Sequence, residues 1–259
     1  MQALVMSLLT FAREVRLTPD EWARAMNALA ESGSLTSQDR QEFILWSDVL
    51  GLSMVVDALD DTRDPAATES TVEGPFRASG SPVRSYGESI SEQPVGVPLW
   101  MYGRVLDVEG DVIPDAELDV WQNGPNRLYA VQDPESPEHH LRGRFRTRPD
   151  GSYALLAVRP TAYTIPDDGP VGAMLRATGR HPWRPAHVHV AVSAQGYRPV
   201  VTHIFDSDSE FLDSDAVFAV KPSLIKTFVT RDPSDPERPV GVEHAWASVE
   251  VDFVLDRPL

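Results

Sequence analysis

The sequence predicts an α+β fold: a helical segment over residues 1–64, then a mainly antiparallel β-sandwich over residues 65–259. Three observations predict it. Apolar residues recur at a 3.6-residue period before residue 60 and at a two-residue period after it, the spacings of a helix face and a strand face. Most of the 22 prolines lie beyond residue 60, as the turns of a loop-rich sandwich require. The polar run from Asp57 to Pro65 separates the two regimes.

Taken in order, Leu4, Val5, Leu8, Leu9, Ala12 and Val15 form one apolar stripe and predict a first helix. Thr18-Pro19-Asp20-Glu21 supplies an N-cap, a proline at the first helical position and a carboxylate three residues on. A second helix therefore starts there, and Gly33 ends it. Thr36 or Ser37 caps a third, running through Gln41-Glu42-Phe43-Ile44-Leu45-Trp46 toward Leu59. Strands are predicted over residues 99–108 and 116–121, separated by the turn Glu109-Gly110-Asp111. Two more, 144–148 and 152–158, flank Pro149-Asp150-Gly151, a hairpin signal. Residues 187–193 and 200–205 flank a turn at Ala194-Gln195-Gly196. Finally Ala247, Val249, Val251, Phe253 and Leu255 alternate with Ser248, Glu250 and Asp252, the pattern of one half-buried strand.

A chain of 259 residues holds ample core for one large β domain with a helical appendage. Its net charge of −16 argues against nucleic acid or anionic membrane as a partner and favours a neutral small molecule. With no cysteine, disulfides, thiolate nucleophiles and Cys-based metal sites are excluded. The opening MQALVMSLLTFAREV lacks the basic start and small-residue cleavage site of a signal peptide and reads as an amphipathic helix. No uninterrupted apolar run has membrane-spanning length, so a cytoplasmic protein without membrane insertion is expected.

The chemistry concentrates in Arg184-Pro185-Ala186-His187-Val188-His189. On a strand, His187 and His189 face the same way with Cα atoms about 6.5 Å apart, which lets two imidazoles reach one metal. By itself such a pair reads as two exposed imidazoles on an edge strand. Here the Arg184-Pro185 entry and the Val190, Val192 alternation bury the opposite face and leave both histidines on one side. Tyr129 and Tyr163 stand in turn-like contexts, where phenolate oxygens suit a hard cation and neutral imidazoles suit most first-row metals. The bland reading of both is a loop aromatic packed on a sheet edge. Tyr153 and Tyr197 lie in or beside strands and read as packing residues. His139, His140, His181 and His244 read as surface or structural, and Asp206-Ser207-Asp208-Ser209-Glu210 as a solvated turn without the spacing of a calcium loop. Two other classes stay open on the residues alone: a cupin-like ferrous or zinc enzyme completed by His203 or Asp206, and a non-catalytic β-sandwich binding module.

Longer motifs carry a resemblance. YTIPDDGPVG, GRHPWRPAHVHV, GYRPVVTHIF and DSDAVFAVKPSLI lie between Arg159 and Ile225. Upstream are ESTVEGPF, Val120-Trp121-Gln122, LRGRF before the Pro149-Asp150-Gly151 turn, and QEFILWSDVLGLSMVVDAL. Together they resemble the intradiol ring-cleaving dioxygenases, and within them the hydroxyquinol 1,2-dioxygenases, over nearly the whole chain. The resemblance implies that the sandwich is catalytic and that Tyr129, Tyr163, His187 and His189 ligate Fe(III). Arg184 would lie beside the iron, with Tyr163 the ligand that departs when substrate binds. Leu45, Asp48, Val72, Gly74, Pro75, Ile165, Pro166 and Val217 would line the substrate pocket. His203 would join them, standing where the catechol branch has glutamine. Asp48 would accept a hydrogen bond from the third hydroxyl of a trihydroxybenzene. The implied reaction opens an ortho-dihydroxylated ring with O2 to a muconate-type product, without organic cofactor or reductant. Two phenolates and a hydroxide would balance the charge of Fe(III) and hold it oxidised. A catechol or chlorocatechol 1,2-dioxygenase is the alternative within the family. The resemblance further implies a homodimer through the N-terminal helices with a lipid at the interface. Relatives carry a longer segment before Met1, so this chain is expected to start inside the first of those helices. Glu73 departs from the subgroup, which has an apolar residue there.

Overall fold

The computed structural model describes residues 1–37, 40–60 and 62–258; Gln38, Asp39, Asp61 and Leu259 lie outside the described residues. Helix α1 (Gln2–Glu14) precedes α2 (Pro19–Leu35). At the start of α2 the expected capping box is present: Glu21 N donates to Thr18 Oγ1 at 3.3 Å, and Thr18 N donates to Glu21 Oε2 at 2.9 Å. Gly33 does not end this helix. The chain stays helical to Leu35, and the Thr36 hydroxyl donates to Ser32 O at 2.8 Å, satisfying a carbonyl of the last turn.

Instead of the single third helix expected through Leu59 there are two, α3 (Glu42–Val49) and α4 (Leu52–Asp60). Gly51, at φ +78°, turns the chain between them in a conformation that only glycine adopts at low cost. Nor does Thr36 or Ser37 cap α3. Its N-cap is Gln41, and Ser37 Oγ accepts from Arg40 N at 3.2 Å in the turn before it. Residues 57–60, expected in the polar break, are the last turn of α4.

The strands are β1 (Pro98–Asp107), β2 (Glu117–Trp121), β3 (Arg142–Arg146), β4 (Ser152–Val158), β5 (Tyr163–Thr164), β6 (Trp183–Arg184), β7 (His187–Ser193), β8 (Val200–Asp206), β9 (Ile225–Lys226), β10 (Val229–Arg231), β11 (Trp246–Glu250) and β12 (Phe253–Leu255). Helix α5 (Pro170–Ala177) lies between β5 and β6. One sheet has the order β3-β2-β7-β8-β9. In the other, β1 pairs with β4 on one edge and with β11 and then β12 on the other, and β10 flanks β11. The ladders are mainly antiparallel, but β11 and β12 run parallel to β1, and β9 parallel to β8.

The hairpin expected around Pro149-Asp150-Gly151 is replaced by other pairings. The turns at 109–111 and 149–151 form, with Asp107 N donating to Asp111 O and Arg148 N to Ser152 O, both at 2.9 Å. Their flanking strands nevertheless enter opposite sheets: β1 pairs with β4, and β2 with β3 and β7. Alternation tells which face of a strand is buried, and it does not choose the neighbour. The final strand is interrupted at Val251-Asp252. There the Asp252 carboxylate accepts from Arg104 N at 2.8 Å, in place of a backbone carbonyl. Val251 N still donates to Tyr102 O at 2.8 Å.

Between the sheets lies one apolar core that includes Leu99, Met101, Leu118, Val120, Phe145, Leu155, Val188, Val190, Ile204, Val249 and Phe253, all essentially inaccessible. Burying such side chains is the main term favouring the fold. Tyr153 belongs to this core and donates its hydroxyl to Val251 O at 2.8 Å. A second apolar cluster joins Leu45 and Val49 of α3 to Ile165, Val171 of α5, Phe205 of β8 and Val217. Buried Glu42 reinforces that junction, accepting from Val171 N at 3.3 Å, in the first turn of α5, and pairing with Arg40 at 2.9 Å. So α3 packs on the sandwich, whereas α1 buries none of its residues. Among the described residues no helix is long and apolar enough to cross a membrane.

Candidate metal centre

The register of the first sheet builds the site around β7. Trp121 of β2 stands opposite His189 on one side, and His203 of β8 opposite it on the other. Trp121 stacks on the His189 ring with centroids 4.7 Å apart and an interplanar angle of 15°. Gly74, at φ +74°, brings the preceding loop onto His189; a Cβ there would sit 3.6 Å from His189 Cε1. His187 and His189 point the same way, as their spacing requires, with Nε2 atoms 3.2 Å apart.

The two tyrosines arrive from elsewhere. Tyr129 precedes a single turn of 3-10 helix at Ala130–Gln132 and is tied there by its own N–H donating to Gln132 Oε1 at 3.0 Å. Phe76 stacks on its ring at 4.6 Å. Tyr163 opens β5 and is the cross-strand partner of Arg184 on β6. The four donor atoms converge. Tyr129 Oη lies 3.3 Å from Tyr163 Oη, 2.9 Å from His189 Nε2 and 3.5 Å from His187 Nε2. Both tyrosines and both histidines are buried.

The chemistry of these donors fits a metal cation. Pro185 O can only accept, so the His187 Nδ1 atom, 2.7 Å away, carries the proton and Nε2 offers its lone pair. His189 Nε2 is free in the same way when its Nδ1 donates to His203 Nε2, 2.9 Å away. That puts the His203 proton on Nδ1, a buried atom without a hydrogen-bond partner among the described residues. Burial, and then the Arg184 charge, hold His187 well below the ordinary histidine range. For His189 and His203 burial is followed by the neighbouring imidazoles. All three are thereby kept neutral, as ligation demands of His187 and His189. Burial, reinforced by Tyr163, pushes the Tyr129 phenol far up, so its phenolate requires a cation beside it. His187, His189 and His203 have ring nitrogens within 4.8 Å of one another. His203, however, uses Nε2 on His189 Nδ1 and stands behind that ring, away from the converging donors.

Arg184 is held on two sides. It forms a buried ion pair with Asp215, Nε to Oδ1 at 3.0 Å and Nη2 to Oδ2 at 3.3 Å, while Nη1 donates to Tyr163 Oη at 3.3 Å. Burial alone would disfavour its charge; Asp215 and then Tyr163 outweigh burial and raise its pKa above the ordinary arginine value. The Asp215 carboxylate also accepts from Val217 N at 3.3 Å and Ala219 N at 3.0 Å. Sequence reasoning missed Asp215, although it lies within the DSDAVFAVKPSLI motif, because nothing local marks a carboxylate 31 residues away as the arginine's partner. It knew Phe76 and Trp121 only as parts of motifs.

Of the expected pocket residues, Leu45, Pro75 and Pro166 line one cleft of about 200 Å³, together with Phe76 and Gln132. Leu45, Ile165 and Val217, with Val72 packed against them, form its apolar surroundings. Glu73 is exposed and pairs with Arg77 at 2.9 Å, and Arg77 in turn lies over Trp121, 5.4 Å from the ring centroid. The expected solvated turn at 206–210 is instead anchored: Asp206 is buried and accepts from Arg159 Nε at 2.7 Å, because Arg159 projects from the end of β4 to meet it.

Asp48 is buried rather than solvent-exposed, and accepts from Ser53 Oγ at 2.5 Å. Burial raises its carboxyl above the ordinary range, against the Ser53 hydrogen bond and the Arg184 charge. A carboxyl raised by folding subtracts stability as the pH climbs past the ordinary carboxylate range. Asp48→Asn is therefore expected to raise Tm at neutral pH, a gain that shrinks as the pH falls toward about 4 in thermal melts. A lower Tm for the variant at pH 7 would overturn this.

Comparison with known proteins agrees with the geometry. Residues 72–257 match the family described as Dioxygenase, and residues 1–68 the one described as Catechol dioxygenase N terminus. The chain is 45% identical over 257 residues to a hydroxyquinol 1,2-dioxygenase of Nocardioides simplex, covering 98% of this chain and 87% of that protein. It is 44% identical over 247 residues to one of Rhizobium sp. (strain MTP-10005), covering 95% and 84%. The solved structure of hydroxyquinol 1,2-dioxygenase from Pseudomonas putida DLL-E4 superposes with a TM-score of 0.93 at 46% identity, covering 100% of this chain and 91% of that one.

Proposed function

This chain belongs to the intradiol dioxygenase family, enzymes that open an aromatic ring between two hydroxylated carbons, and we propose that it acts on hydroxyquinol (benzene-1,2,4-triol) through iron(III). The product is a muconate-type diacid, 3-hydroxy-cis,cis-muconate or its tautomer maleylacetate. Tyr129, Tyr163, His187 and His189 are the ligands in this reading. The observation that carries it is the convergence of Tyr163 Oη and two imidazole Nε2 atoms within 3.5 Å of Tyr129 Oη. Bound there, iron(III) would supply Lewis acidity to the two adjacent ring hydroxyls.

The chain's own groups do the rest. Tyr163 Oη would accept a proton from the incoming diol. Arg184 Nη1, already 3.3 Å from that oxygen, stabilises the negative charge that gathers on the ring side as O2 attacks. The apolar walls of Leu45, Val72, Ile165 and Val217 keep water from the reacting carbons. Gly74, Pro75 and Pro166 shape the space for the ring, and His203 holds His189 from behind. Asp48 accepts the third hydroxyl; a site that pairs a substrate hydroxyl discriminates strongly against the analogue lacking it.

The reading includes residues 1–64 as a dimerisation arm and residues 65–259 as the catalytic domain. Leu4, Leu8, Phe11 and Trp22 are exposed on α1 and α2, an apolar surface that a second copy of the chain would cover. The reading brings no lipid to that surface. Iron analysis, a visible spectrum and turnover of hydroxyquinol and catechol by one preparation test the proposal. Stoichiometric iron, a wine-red colour from tyrosinate charge transfer and preference for hydroxyquinol are expected. An iron-loaded but colourless protein overturns the ligand set, and faster cleavage of catechol overturns the substrate.

A further inference from the structure

The turn at Gly51 does more than end a helix. In one uninterrupted helix, residues five apart point about 140° away from each other, so Ser53 could not reach Asp48. Left-handed Gly51, its N–H donating to Asp48 O at 3.0 Å, folds the start of α4 back onto the end of α3. Ser53 Oγ thereby comes to lie 2.5 Å from Asp48 Oδ1 and 2.8 Å from Ser47 Oγ. A hydroxyl has one hydrogen to give. The shorter contact and the carboxylate's charge assign it to Asp48, and Ser47 then donates to Ser53. Asp48 Oδ2 takes no hydrogen bond among the described residues. The torsion that rotates a carboxylate is soft and broad, so a hydrogen bond on one oxygen sets the plane in which the other is presented.

We propose that Ser53 is a positioning residue for substrate choice: the Ser47–Ser53–Asp48 relay locks the carboxylate so that Oδ2 meets the third hydroxyl of the ring. This rests on Asp48 being the acceptor of that hydroxyl. It adds that selectivity depends on two serines that touch no substrate and on the helix break that delivers one of them.

The test measures kcat/KM for hydroxyquinol and for catechol in the iron-loaded wild type and in Ser53→Ala, Ser53→Thr, Ser47→Ala and Asp48→Ala. The hydroxyquinol-to-catechol ratio is expected to fall about tenfold in Ser53→Ala, the scale of one hydrogen bond to a charged group. It should recover in Ser53→Thr, which keeps the hydroxyl, and fall less in Ser47→Ala, which keeps the Ser53–Asp48 bond but removes its donor. Iron content and the visible band of each variant report that the centre is intact. If Ser53→Ala is too unstable to assay, a wild-type ratio in Ser47→Ala overturns the relay. A collapsed ratio in Asp48→Ala beside a wild-type ratio in Ser53→Ala overturns the proposal while sparing the reading of Asp48. An unchanged ratio in Asp48→Ala removes both.

Discussion

Tyr129→Phe is expected to fold as the wild type does, to lose most of its iron and colour, and to lower kcat/KM for ring cleavage by at least about a thousandfold. The substitution removes one atom. The ring remains free to stack on Phe76 and to meet Tyr163 edge to face, contacts with centroids 4.6 and 5.4 Å away. Because burial already raises this phenol far above its ordinary range, its hydroxyl contributes little to folding by ionising. Thermal stability of the metal-free protein should fall by only about 1–3 kcal/mol, the cost of leaving buried His189 Nε2 without its 2.9 Å partner. Metal binding responds differently. Lewis-acid assistance is worth several kcal/mol, and each 1.36 kcal/mol is about tenfold in rate, so a lost or misplaced cation has a large effect. Iron content, the tyrosinate absorption and turnover measured on one preparation check this. A red, fully active Tyr129→Phe would remove Tyr129 from the centre and the four-donor reading with it.

Asp215→Ala is expected to be the most destabilising single change around the site. It strands the Arg184 guanidinium, almost wholly buried, without its carboxylate, and leaves Val217 N and Ala219 N without an acceptor. Breaking one side of a buried ion pair costs about 3–5 kcal/mol. For a chain of this size that lowers Tm by roughly 10 °C. Activity should fall further than stability, because the same pair aims Nη1 at Tyr163 Oη. The double variant Arg184→Met/Asp215→Leu separates the two effects. Replacing both charges by apolar groups should recover much of the lost Tm and none of the lost turnover. Recovery of turnover in the double variant would show that the pair only holds the loop in place.

What could be read from the chain alone depended on distance along it. The shared face of His187 and His189, the Thr18 capping box, the β7–β8 hairpin and the mainly β character beyond residue 60 all follow from residues within a few positions of one another, where backbone period and local hydrogen bonding decide. Tyr129 and Tyr163 stand out locally only as loop tyrosines, and their shared place at one centre is what the family motifs imply. They lie 34 residues apart in sequence and 3.3 Å apart in space, and no local pattern announces such a meeting. Long-range packing settled the remainder. It sent the strands on either side of Pro149-Asp150-Gly151 into different sheets. It broke the expected third helix at Gly51, so that α3 buries Leu45 and Asp48 while the start of α4 folds back and packs Met54 against the same cluster. It paired Arg184 with Asp215 across 31 residues and seated His203 behind His189 through the β7–β8 register. Periodicity reports how each segment divides its faces between core and water. Which surfaces then meet is a property of the whole chain's close packing, since a buried charge or strand edge finds its complement only once every layer is in place.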